Sequence, residues 1–134
     1  MSTPYRPPGW PDEVALPGSP AWAATATAFL LDCCPADFRG YGVLRRQPLV
    51  LAEFAGHFLA GQRRAAEEGL PTLRANLRRH VDPGTIEDAV QVWLEQSARL
   101  ARTQRAVALV TDALRGREFV PTLDLTGRSR AGRT

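Results

Sequence analysis

Glu53 and His57 stand four residues apart, the spacing that sets two side chains one above the other on a helix. A carboxylate and an imidazole so placed could begin a metal site or an acid–base pair. Either chemistry needs more members, and the paired inward Glu-x-x-His set of helical metal centres is absent. His57 therefore reads as a structural residue, partly buried or flanking the core. His80, the other histidine, falls at the end of a helical stretch, where an imidazolium suits the C-terminal dipole. Cys33 and Cys34 are the only cysteines. Neighbouring cysteines rarely bridge, and without a C-x-x-C pair they read as buried small apolar groups. A serine triad on an α/β sheet needs a Gly-x-Ser-x-Gly elbow, and a phosphate loop needs a lysine. The chain has no such elbow and no lysine at all. The expectation is a protein that is not an enzyme and carries no metal or cofactor.

The remaining candidates are arginines. Residues 1–114 hold twelve Arg against twelve acids, while 115–134 hold five Arg against Glu118 and Asp124, so the net charge of +3 sits in the last twenty residues. A balanced body argues against a dedicated nucleic-acid surface, which shows as a clustered basic face. A nucleic-acid accessory role would require Arg63, Arg64, Arg99 and Arg102 to join the tail arginines on one surface. That is the alternative reading.

These residues must be positioned by helices. The 134-residue chain is 44% hydrophobic and 23% charged, a globular composition sized for one domain. No apolar run approaches the ~20 residues of a membrane span, and the N-terminus lacks the order of a signal peptide. With no disulfide expected, a soluble cytoplasmic protein fits best. Residues 1–19, rich in proline, form an extended arm, with Trp10, Val14 and Leu16 laid against the core. Ser19 and Pro20 predict a cap and first turn, and a first helix over 20–33 that Pro35 stops. Residues 34–47 read as a packed turn region. A second helix over 48–80 continues, kinked, through Gly69-Leu70-Pro71. A third runs over 83–115, opened by Asp82-Pro83 and closed by Gly116. Residues 1–123 are read as one helical domain and 124–134 as a flexible basic tail.

The third helix carries the strongest pattern. Ile86, Val90, Trp93, Ser97, Leu100, Gln104, Val107, Thr111 and Leu114 step by 4, 3, 4, 3 throughout. This is a coiled-coil seam, which packs along another helix over its length. Antiparallel folding onto the second helix places Leu77 by Ile86 and Leu73 by Val90, with arginines 74, 78 and 79 beside Glu87 and Asp88. The fold class is all-α: a long antiparallel helical hairpin, an additional N-terminal helix and the proline-rich arm. At its open end, residues 49–52 and 106–110 are apolar on every side, so the first helix and the arm are expected to cover them. The turn end projects. Val92 and Leu94 lie off the seam there, and exposed apolar groups on a long helix mark a partner. The expected function is a non-enzymatic interaction or scaffold protein, with an unknown protein partner or a homodimer formed through this projection.

Pro7-Pro8-Gly9-Trp10-Pro11, Pro35-Ala36-Asp37-Phe38-Arg39-Gly40-Tyr41, Leu44-Arg45-Arg46-Gln47-Pro48 and Phe119-Val120-Pro121-Thr122-Leu123 together resemble a group of small actinobacterial helical proteins. The resemblance spans residues 7–123 and implies the same domain limits. No activity is attached to the group, so it implies no site residues.

Overall fold

A computed structural model describes residues 5–116. Among these the protein is all-α: α1 (Trp22–Asp32), a 3₁₀ turn (Ala36–Gly40), α2 (Gly42–Arg46), α3 (Pro48–Leu77) and α4 (Pro83–Leu114). The expected tail, 124–134, and the segment from Phe119 to Leu123 lie outside the described residues.

α4 begins as its sequence dictates. The Asp82 carboxylate accepts from the Thr85 backbone N–H at 3.0 Å and from its hydroxyl at 2.8 Å, with Pro83 in the first turn. It ends at Gly116, whose φ of +82° is open to glycine and strained for other residues. α1 starts two residues later than Ser19-Pro20 suggests. The Ser19 hydroxyl accepts from the Ala21 N–H at 3.2 Å, closing a turn ahead of the helix instead of capping it. The 34–47 region is more regular than a turn region, because Gly42–Arg46 closes a short helix that buries Leu44. α3 stops at Leu77, three residues short of His80, and runs unbroken through Pro71.

Side chains on α3 meet α4 in opposite chain order. Arg74 holds Glu87 in a two-pronged pair at 2.7 and 2.8 Å, Trp93 Nε1 donates to the Ala66 carbonyl at 2.8 Å, and Arg63 donates to Gln104 at 2.9 Å. Arg115 lies 3.7 Å from Glu53. The two helices are therefore antiparallel. All nine seam residues of α4 are buried or half-buried. Ser97 and Thr111 sit in the seam because each hydroxyl returns a bond to its own helix, at the carbonyls of Trp93 and Val107.

The main core lies at the open end of this pair. Phe29, Leu30 and Leu31 of α1 and Leu44 of α2 join Leu51, Ala52 and Ala55 of α3 and Val107, Val110 and Ala113 of α4. Trp10 and Val14 of the proline-rich arm complete it. The Trp10 indole N–H donates to the Val14 carbonyl at 2.8 Å, and its ring stacks at a tilt on Trp22, 5.7 Å away. The Thr25 hydroxyl ties arm to helix, accepting from Ala15 N–H at 2.9 Å and donating to the Ala21 carbonyl. Cover at this end is one-sided. Leu49 and Val50 each remain 40% exposed, against the expectation of cover all round, because α1, the 3₁₀ turn and α2 flank α3 without enclosing its first turn.

Candidate functional site: a groove along the helical arm

Beyond the end of α1, α3 and α4 continue as a two-helix layer. A groove of about 620 Å³ runs along it, lined by Gln62, Ala65, Ala66, Leu73, Ala89, Val92, Trp93 and Gln96. Three features build it. The alanines leave no side chain beyond Cβ, so the helix backbones form the floor. The Trp93 ring packs directly against Gly69, where an added Cβ would stand 2.6 Å from a ring carbon. The Ala66 carbonyl then holds the indole N–H, so the ring forms a fixed wall.

Val92 stands at the edge of this groove and is 58% exposed. Leu94 is also exposed but does not line it. Two residues are about 200° of helix rotation, so these two side chains cannot share a surface. Of the two, only Val92 lines the groove.

Gln62 and Gln96 also line the next depression, of about 450 Å³, at the foot of α1. There Glu13, Asp32, Cys33, Cys34, Arg99 and Thr103 join Phe29, Leu59 and Leu100 in a mixed lining. Both thiols are free and half-buried. Burial, with Cys34, Asp32 and Glu13 nearby, pushes the Cys33 thiol up to about 12, the reverse of what a thiolate nucleophile needs. Burial also raises Cys34, and Arg39 opposes the rise.

The other sequence candidates separate. His57 is not partly buried: its side chain is 82% exposed, 3.5 Å from Glu53. It points outward because α1 packs on other faces of α3. His57 and Glu53 line a third depression together with Asp112 and Arg115, away from Cys33. Among the described residues no group of three or more His, Cys, Asp or Glu is placed to hold a metal ion. Arg63 is engaged by Gln104 and by Glu67 at 3.7 Å. Arg99 lies five residues, or about 140° of rotation, from Gln104 on α4 and faces the foot of α1 instead. Arg63 and Arg99 thus lie on different sides of the helix pair; Arg64 and Arg102 are exposed.

One cluster has no counterpart in the sequence expectations. Phe38, from the 3₁₀ turn, meets Phe54 and Phe58 of α3 edge-on, with ring centres 5.9 and 5.4 Å apart. Tyr41 adds a fourth ring, and all but Phe38 are exposed. The available signal was the four-residue step from Val50 to Phe54 to Phe58, an apolar stripe off the core-facing side of the helix.

Comparison with known proteins found no match to a family model, to a curated protein or to a solved structure. No helix among the described residues is long and apolar enough to cross a membrane.

Proposed function

We propose that this chain is a non-enzymatic helical interaction protein whose arm takes up a helix from a protein partner. The groove carries the reading: an apolar channel between two helices, with a fixed indole wall and an exposed valine at its edge. Its floor of Ala65, Ala66 and Ala89 lets a third helix approach closely, and apolar residues spaced three and four apart on that helix would fill it. The head, held by its larger core, acts as the fixed base. Two free thiols at half-buried positions fit a reducing cytoplasmic setting.

A nucleic-acid accessory role draws less support. Arg63 is occupied by Glu67 and Gln104, and Arg99 faces another side of the helix pair.

The test is a quantitative pull-down from the native host with three forms of the chain. Wild type and Leu94→Glu should recover the same specific protein, and Val92→Glu should lose it while keeping its helical circular dichroism. Equal recovery by Val92→Glu would remove the groove from the account, as would nuclease-sensitive recovery.

A further inference from the structure

We infer that the groove's occupant is the arm of a second copy of this chain, docked antiparallel to form a four-helix layer; this rests on the arm being the interaction surface. The geometry begins at the head. There α1 packs against α3 and contributes Phe29 and Leu30 to the core that α3 shares with α4. It ends at Asp32, and Pro35 prevents its continuation. The depression at its foot shares Gln62 and Gln96 with the arm groove, so the channel beside α1 continues down the arm. The arm lacks the third layer that the head has.

The charge along α4 points to another copy as that layer. Asp88 lies toward the turn and Arg99 toward the head, both exposed. Neither makes an ion pair among the described residues. Eleven residues are about three helical turns, so the two charges lie within roughly 20° of one side of α4. Val92 and Gln96 fall between them. A two-fold axis crossing α4 midway between Val92 and Gln96 sets Asp88 of each copy opposite Arg99 of the other, twice over by symmetry. The same operation brings Val92 of each copy against Gln96 and the alanine-floored groove of the other. A parallel arrangement would instead set Asp88 against Asp88 and Arg99 against Arg99. The charges thus select the antiparallel direction as well as a partner of the same sequence. Glu95 of the two copies approaches near the axis, a repulsion that its exposed position leaves open to solvent screening.

Sedimentation equilibrium of the full chain over the micromolar range tests this. Wild type and Leu94→Glu should reach the mass of two chains, and Val92→Glu should stay at one. Asp88→Arg and Arg99→Asp should each weaken association ~10-fold or more, and the double swap should restore it, since the pair is re-formed with its signs exchanged. Circular dichroism confirms that each variant is folded. A wild type that remains at one chain mass throughout overturns the inference, and so does a double swap no better than the single ones. If wild type is monomeric yet Val92→Glu still loses a host protein in the pull-down, the self-docking inference fails and the interaction reading stands. If Val92→Glu changes neither assay, both fail.

Discussion

The head and the arm use the same two helices and are stabilised differently. In the head, α3 and α4 are covered on one side by α1, α2 and the proline-rich arm, and Leu30 and Leu51 are fully shielded. In the arm they have only each other. Ile86 and Val90 are buried there, while Leu73, Leu77 and Trp93 are half-exposed. The arm replaces missing depth with directed bonds: the indole of Trp93 on Ala66, the fork of Arg74 on Glu87, and the cap of Asp82. A region held this way can be stable enough to form and still leave an apolar face open.

The largest test of the contrast is in leucine truncation. Leu30→Ala should cost ~2–5 kcal/mol, the range for removing a leucine from a closed core. Leu73→Ala should cost only ~1 kcal/mol, about half of what full burial of a leucine contributes. Urea unfolding monitored by circular dichroism measures both, and equal losses would erase the distinction.

A smaller effect is expected at Gly69. Alanine there gains ~1 kcal/mol of helix propensity but drives its methyl into Trp93, an overpacking cost of ~1–3 kcal/mol. Amide exchange should quicken in the arm and not in the head, because local opening follows local packing. A variant more stable than wild type, with unchanged exchange, would show that the Trp93 wall is not fixed.

The smallest effect is in acid. Hydrogen bonding from Arg74 holds the Glu87 carboxyl below its ordinary value, and the Thr85 backbone and hydroxyl do the same for Asp82. Both carboxylates bind protons more weakly folded than unfolded. Their contribution is therefore present above the unfolded values, about 4.3 for Glu and about 3.9 for Asp, and is lost as pH falls through the lower folded values. Melting followed at arm residues should weaken slightly over that window, and Glu87→Gln should flatten its part of the dependence. An unchanged profile in Glu87→Gln would mean the fork contributes nothing measurable, as many exposed pairs do.

Much of the frame was legible because it is written in local chemistry. Asp82-Pro83 and Gly116 mark the ends of α4 through capping and left-handed backbone, which depend on one or two residues. The seam from Ile86 to Leu114 is legible because the helical period alone decides which side chains share a face. The same period already parts Val92 from Leu94. What the chain does not spell out is which face receives cover. Leu49 belongs to a stretch that reads as enclosed and His57 reads as partly buried or flanking the core, yet both end exposed because α1 and α2 settle on other sides of α3. The aromatic group of Phe38, Phe54 and Phe58 joins a turn to a helix, and no local pattern registers that meeting. The groove has the same origin. Its alanines are ordinary helix formers in sequence, and they become a floor only because α3 and α4 run side by side past the end of α1, with Gly69 admitting the ring of Trp93. Local propensity set the helices and their inward faces. Only the tertiary packing decided where they stay open, since exposure depends on segments far apart in the chain.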